Sequence, residues 1–219
     1  MNHYGFRVVN DFARQTDWLH GVFEFLATYG IALFVPVLLA GWWRSRIADA
    51  PRRLAGLLWA PIAALLAVAI AQPISGAVGE QRPFVGTRHV LTLVRHAADA
   101  GFPSDHATAS GALAVGILLA SRRLGWMAAL LGALIAFSRV YVGVHYPVDV
   151  VAGLLLGAAV ALLGRAPATW LLERPVLAVK ASRFAILVRS GAPLSLVAIA
   201  PEVGENDRHD RRYSETAGA

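Results

Sequence analysis

The sequence predicts an all-α membrane protein, a bundle of five transmembrane helices with a sixth as the alternative. Hydrophobic residues make up 57% of the chain and charged residues 16%, whereas soluble domains contain about half and about a quarter. Two uncharged segments, 25–43 and 54–78, reach the ~20 residues that a span requires. Three shorter segments rich in glycine and alanine follow, at 106–121, 124–138 and 148–164. Their regular succession favours a membrane bundle over the buried helices of a soluble core.

The segment before the first span, residues 2–20, predicts an amphipathic helix lying at the outer membrane surface. Phe6, Val9, Phe12 and Ala13 recur at the spacing that places them on one side of a helix. The segment lacks a basic region followed by a cleavable apolar stretch, so it does not read as a signal peptide.

The apolar pattern weakens after the fifth span. Residues 170–200 are apolar but interrupted by Pro175, Lys180, Arg183, Arg189 and Pro193, which favours an interfacial helix on the cytoplasmic side over a sixth span. We expect one membrane domain over residues 1–201. The polar residues 202–219 are expected to form a disordered cytoplasmic tail.

The arginines predict the orientation of the bundle. Segments 44–53, 122–123 and 165–189 fall on one face of a five-span protein and are rich in arginine and lysine, as cytoplasmic loops are. The loop at 79–105 falls on the opposite face and balances three arginines with three acids. This loop and the turn at 142–147 are therefore expected outside the cytoplasm.

The net charge of +6 follows mostly from these cytoplasmic arginines. A nucleic-acid partner is not expected, because basic residues are not interleaved with aromatic ones on a soluble face. The chain has no cysteine, which excludes disulfides and thiolate catalysis.

His145 and Asp149 lie four residues apart across the predicted start of the fifth span. The aspartate can reach one imidazole nitrogen and fix the tautomer, which leaves the other nitrogen free to attack phosphorus. The alternative is a histidine that caps a helix at the membrane interface. Arg139 favours the catalytic interpretation, because a charged residue inside a span is costly unless it faces a polar site. A guanidinium group can also bind two phosphate oxygens at once.

A second polar group opens the third span. Ser104 suits a helix N-cap but can also donate its hydroxyl to a phosphoryl oxygen, and Asp105 follows it in the first turn. His106 can protonate a leaving group. Helix N-termini favour anions, so these residues and Arg82 of the preceding loop predict a phosphate site.

The three polar segments resemble the motifs of the type-2 phosphatidic acid phosphatase superfamily. Its Ser-Arg-x5-His-x3-Asp motif is complete at 138–149, and its Pro-Ser-Gly-His motif reads Pro-Ser-Asp-His at 103–106. Its Lys-x6-Arg-Pro motif keeps Arg82 and Pro83, but Ser75 stands at the position of the lysine. Phosphate binding is therefore expected to depend on the arginines.

Within this superfamily, residues 82–85, 96–108 and 142–149 resemble the bacitracin-resistance branch. Members of that branch are bacterial undecaprenyl-diphosphatases, and the resemblance covers roughly residues 17–164. It implies a multi-pass protein of the bacterial plasma membrane with its site facing the periplasm or cell exterior. The implied partners are the bilayer and a polyprenyl diphosphate lipid, which would be hydrolysed to recycle the carrier for cell-wall synthesis.

The resemblance also implies roles for the site residues. His145 would attack phosphorus and form a phosphohistidine, Asp149 would orient it, and His106 would protonate the leaving group. No metal and no cofactor are expected.

The remaining site residues would bind the substrate. Arg82, Ser104 and Arg139 would neutralise the phosphoryl oxygens, and we assign Asp105 to the same site. Whether Asp105 tunes His106 or only stabilises the helix start is left open, as is the role of the loop residues His96 and Asp99.

Two alternatives remain. One is the same chemistry on phosphatidylglycerol phosphate, phosphatidic acid or another prenyl diphosphate. The other is a non-catalytic lipid-binding or transport protein, which the retention of His106, His145 and Asp149 disfavours.

Overall fold

A computed structural model describes residues 3–86 and 89–189. The secondary structure elements of these residues are helices, and residues 89–104 form a loop. Its α-helices are α1 (His3–Arg14), α2 (His20–Tyr29), α3 (Phe34–Ile47), α4 (Pro51–Val78), α5 (Pro83–Gly86), α6 (Asp105–Ala120), α7 (Arg122–Tyr141), α8 (Pro147–Leu163) and α9 (Arg165–Lys180). Short 3-10 segments at Asp17–Leu19, Gly30–Leu33 and Ala185–Leu187 complete it. The predicted all-α bundle is confirmed.

The apolar helices lie where the sequence predicts them. Asp17–Ile47, α4 and α7 are each long and apolar enough to cross a membrane. Helix α6 has 16 residues and is shorter than this requirement, while α8 and α9 meet it only as a pair bent by 57°. The chain is therefore a multi-pass membrane protein, and the number of five spans stays a prediction.

Helix α1 corresponds to the predicted amphipathic segment. Of the residues predicted on one side of it, Phe6 and Ala13 are buried and Phe12 is 43% exposed. The buried Asn10 donates from Nδ2 to the carbonyl oxygen of Leu91, in the loop between α5 and α6, at 2.9 Å. The place of this helix at the outer membrane surface stays a prediction. The tail at 202–219, and residues 190–200 of the proposed interfacial helix, lie outside the described residues.

Helix α6 is the centre of the bundle and packs on α4, α7 and α8. Its contact with α8 is a backbone contact: a Cβ on Gly157 would overlap the Thr108 carbonyl oxygen, and one on Gly153 would lie 2.7 Å from the Ser104 carbonyl oxygen. Glycines at helix interfaces allow this approach. The Ser104 amide also donates to the carbonyl oxygen of Asp149 at 3.1 Å. The starts of α6 and α8 are thereby held side by side.

Replacing Gly157 with valine is expected to destabilise the protein by at least about 1–3 kcal/mol, because the side chain would push apart two backbones that have no room to move. The matched control is Gly21→Val on α2, where an added Cβ meets no atom within 4 Å, so a much smaller effect is expected. Thermal unfolding in detergent measures both variants. An unchanged midpoint for Gly157→Val would contradict the close α6–α8 packing.

Candidate active site

His145 lies in the turn between α7 and α8, and the loop between α5 and α6 holds this turn in place. The Leu93 amide donates to the Val142 carbonyl oxygen at 3.1 Å. Gly143 has a φ of +83°, and a Cβ there would overlap the Leu91 carbonyl oxygen, so the turn requires glycine. The imidazole of His145 is consequently 2% exposed and fixed between two helices.

The hydrogen-bond partners of His145 define its tautomer. Nη1 of Arg82 lies 2.9 Å from Nε2 of His145 and 3.5 Å from its Nδ1, so the closer contact is to Nε2. Because a guanidinium can only donate, Nε2 must be the acceptor, and the proton of the neutral ring must be on Nδ1. Nδ1 lies 3.4 Å from Oδ2 of Asp149. The unprotonated nitrogen, Nε2, therefore faces Arg82 and accepts from it. The protonated nitrogen, Nδ1, faces the carboxylate of Asp149.

Asp149 is fully buried and is held by the start of its own helix. Its Oδ2 accepts a hydrogen bond from the Tyr146 amide at 2.8 Å, which also caps α8. Its Oδ1 has no hydrogen-bond partner among the described residues. Oδ2 therefore faces both the Tyr146 amide and Nδ1 of His145, whereas Oδ1 keeps unused acceptor capacity.

Arg82 is buried and held by four acceptors. Its Nε donates to Oδ1 of Asp99 at 2.8 Å, and Nη1 also donates to the carbonyl oxygen of Val144 at 3.2 Å. A longer bond of 3.4 Å joins Nη2 to the carbonyl oxygen of Ala100. These bonds fix the plane of the guanidinium directly beside His145.

Arg139 has free donors in a buried position. Its Nη1 donates to the carbonyl oxygen of Ala27 on α2 at 2.8 Å. Its Nε and Nη2 are buried and have no hydrogen-bond partner among the residues described. Unpaired buried donors are rare and call for an explanation, and a bound anion supplies one.

The predicted residues meet at a cavity of about 400 Å³. The cavity is lined by Gln72, Ser75, Gly76, Arg82, His96, Asp99, Ala100, Pro103, Asp105, His106, Arg139 and His145. Ser104 and Asp149 lie behind this lining. The structure therefore brings two arginines and two histidines from four separate segments to one polar space. Ser75, where the superfamily motif has lysine, also lines it.

The two residues at the start of α6 differ from their simplest interpretation. Ser104 is the N-cap residue, but its hydroxyl makes no capping bond and is buried without a described partner. The capping role of its side chain is therefore wrong, and a phosphate contact stays a prediction. Oδ1 of Asp105 accepts from Nε2 of Gln72 on α4 at 3.1 Å, which ties α6 to α4. Its substrate contact stays a prediction too.

The loop residues His96 and Asp99, which the sequence left open, both line the cavity. The His96 ring lies edge-on to that of His145 at 6.3 Å. Burial and the charge of Arg82 lower the pKa of His96. Burial acts to raise the pKa of Asp99, but its hydrogen bond to Arg82 and the charge of that arginine lower it overall. At neutral pH the loop therefore presents a neutral imidazole and a carboxylate.

Within the described ranges, no group of three histidine, aspartate or glutamate side chains gathers closely enough to hold a metal ion. The positive charge in the cavity comes from Arg82 and Arg139. The absence of a required cofactor stays a prediction.

Comparisons with known proteins agree with this geometry. The PAP2 superfamily matches residues 56–170. The undecaprenyl-diphosphatase BcrC of Bacillus subtilis is 34% identical over 163 residues, which cover 74% of this chain and 82% of that protein. An undecaprenyl-diphosphatase of Sulfolobus acidocaldarius is 32% identical over 72% of this chain and 74% of its own.

A solved structure has the same fold. The crystal structure of Aquifex aeolicus LpxE superposes with a TM-score of 0.56 at 21% identity, over 72% of this chain and 90% of that one. The fold and the cavity define a multi-pass membrane protein with a polar cavity, lined by two arginines, at one end of a helical bundle. The chain belongs to the PAP2 superfamily, which confirms the resemblance found in its motifs.

Proposed function

We propose that this protein is an undecaprenyl-diphosphatase, which hydrolyses undecaprenyl diphosphate to undecaprenyl phosphate and inorganic phosphate. The main support for this proposal is the environment of His145. Its Nε2 lies 2.9 Å from Nη1 of Arg82. His145 also lines the same cavity as Arg139, which has unpaired buried donors. The choice of substrate rests on the relatives in Bacillus subtilis and Sulfolobus acidocaldarius, which are named undecaprenyl-diphosphatases.

In the first step, Nε2 of His145 attacks the terminal phosphorus. The bond from phosphorus to the bridging oxygen breaks, and undecaprenyl phosphate leaves with a proton from His106. Arg82 and Arg139 bind the non-bridging oxygens, on which negative charge accumulates. A phosphoryl oxygen takes over the bond that Nη1 of Arg82 makes to His145, which frees the lone pair for attack.

In the second step, water attacks the phosphohistidine. His106, now neutral, accepts a proton from this water, the bond between nitrogen and phosphorus breaks, and phosphate leaves. Asp149 stabilises the positive imidazole in both steps, because its carboxylate faces the protonated nitrogen at 3.4 Å.

The position of the cavity suits a lipid substrate. It lies between the last turns of α4 and the first turn of α6, at the end of helices that cross the bilayer. The diphosphate can enter the cavity while the long prenyl tail stays among the acyl chains. The arginine-rich loops at the other end support a site that faces the periplasm or cell exterior of a bacterial plasma membrane.

The test measures phosphate release by the full-length protein in detergent from undecaprenyl diphosphate, phosphatidylglycerol phosphate and phosphatidic acid, with and without chelator. We expect a strong preference for undecaprenyl diphosphate that the chelator does not change. Equal turnover of the three lipids would contradict the substrate and leave a general lipid phosphatase. Binding of the lipids without turnover would contradict the enzyme and favour a lipid-binding protein.

A further inference from the structure

A second cavity, of about 520 Å³, lies at the opposite end of the bundle from the active site. Its lining includes Arg53 near the start of α4 and Ala120 at the end of α6, whereas the active-site lining includes Gln72 on α4 and His106 on α6. Nineteen residues of helix separate Arg53 from Gln72, a rise of roughly 28 Å, close to the ~30 Å of a hydrocarbon core. The two cavities therefore face opposite leaflets.

The cavity exists because α9 turns away from α8 by 57°. The Trp59 indole lies at this bend, where its Nε1 donates to the Ala161 carbonyl oxygen at 2.9 Å. A Cβ on Gly164 would overlap the indole ring, so glycine at the junction lets Trp59 reach the bend. Gly56 and Gly116 also line the cavity, and they let α4 and α6 approach closely, because a Cβ on Gly116 would lie 2.6 Å from that of Ala60.

The walls of this cavity carry an excess of positive charge. Arg52, Arg53 and Arg165 line it together with one acid, Glu173. Nε of Arg52 lies 3.8 Å from the Glu173 carboxylate. The guanidinium groups of Arg53 and Arg165 have no ion-pair or hydrogen-bond partner among the described side chains. Two cationic groups with free donors therefore face one space.

Apolar surface adjoins this charge. Leu171 is 60% exposed and follows the lining residue Trp170, and Leu163 is 80% exposed and lies two residues before Arg165. Trp170 lines the cavity, and the Arg174 guanidinium stacks on its ring at 4.1 Å. Tryptophan beside basic residues is typical of the membrane interface. The occupant that fits has an anionic group for the arginines and acyl chains for the leucines.

We propose that this cavity binds the headgroup phosphate of an anionic phospholipid from the leaflet opposite the active site. Arg53 and Arg165 donate to the phosphate oxygens, and the acyl chains lie on the exposed leucines of α8 and α9. The site does not depend on the phosphatase activity. A headgroup held by these two arginines would join the start of α4 to the start of α9.

The test compares two double variants of the full-length protein that each remove two positive charges from the same end of the bundle. Arg53→Gln with Arg165→Gln changes the cavity. Arg122→Gln with Arg123→Gln changes the exposed start of α7, which does not line it. Native mass spectrometry in detergent measures retention of phosphatidylglycerol and of phosphatidylcholine with the same acyl chains.

We expect the cavity variant to lose phosphatidylglycerol retention by at least about tenfold, while the control variant and phosphatidylcholine retention change little. Equal loss in both variants would overturn the site, because the attraction would then come from the field of all the arginines. Displacement of the lipid by millimolar inorganic phosphate would overturn its lipid specificity. Unchanged unfolding temperatures and phosphate release in both variants show that the comparison concerns folded, active protein.

Discussion

Replacing His145 with alanine is expected to reduce phosphate release from undecaprenyl diphosphate by at least ~1,000-fold, because removing a covalent nucleophile removes the reaction path itself. Arg82, Arg139 and the cavity would remain, so the lipid should still bind. Turnover under saturating lipid and lipid binding by the same protein separate the two effects. The expected pattern is a loss in kcat with binding retained.

The control for this variant is His20→Ala. His20 bonds to the Ala13 carbonyl oxygen at 2.8 Å and does not line the cavity, so this variant should keep its activity. Because His145 is buried, its replacement also requires a check of folding by thermal unfolding. A folded His145→Ala protein that releases phosphate at a rate near that of the unmodified protein would show that the nucleophile is another group.

Replacing Asp149 with asparagine is expected to lower kcat by about 100- to 10,000-fold with little change in KM. The two side chains are nearly equal in size, so the buried site should keep its shape. The amide carries no charge, however, and it cannot stabilise the positive imidazole that forms during attack. It can also present its NH₂ group to His145, which disfavours the proton on Nδ1.

Steady-state kinetics of Asp149→Asn, with Asp11→Asn as the control, measures this effect. Asp11 is an exposed carboxylate on α1 outside the active-site cavity. Near-normal kcat in Asp149→Asn would mean that Arg82, through its bond to Nε2, is sufficient to set the tautomer and that the carboxylate is not needed. A rise in KM alone would place Asp149 in substrate binding instead.

Local sequence spacing predicted much of the candidate site. His145 and Asp149 lie within five residues of a helix start, so backbone geometry alone brings their side chains together. Ser104 and His106 occupy the same kind of position on α6. Gly153 and Gly157, four residues apart on α8, make the close contact with α6 that holds these two starts together. The residues of each pair, His145 with Asp149 and Ser104 with His106, are at most four positions apart, so the local helix geometry sets the distance between them.

Contacts between residues far apart in the chain could not be predicted in this way. Arg139 bonds to the carbonyl oxygen of Ala27, 112 residues away, because α2 packs on α7. Gln72 on α4 binds Asp105 only because α4 and α6 run side by side. Every residue has a backbone carbonyl, so the sequence does not indicate which one accepts from Arg139. A single glutamine in an apolar helix likewise has many potential partners. The 57° bend at Gly164 depends on Trp59, 105 positions earlier.

The most direct measurement traps the covalent intermediate. The purified protein is mixed with undecaprenyl diphosphate carrying a radiolabelled terminal phosphate, quenched in alkali during turnover, and digested for peptide mapping. We expect an alkali-stable, acid-labile label on the peptide that contains His145, and no label on the His145→Ala protein. A label on another residue, or rapid turnover with no labelled histidine at any quench time, would contradict attack by His145.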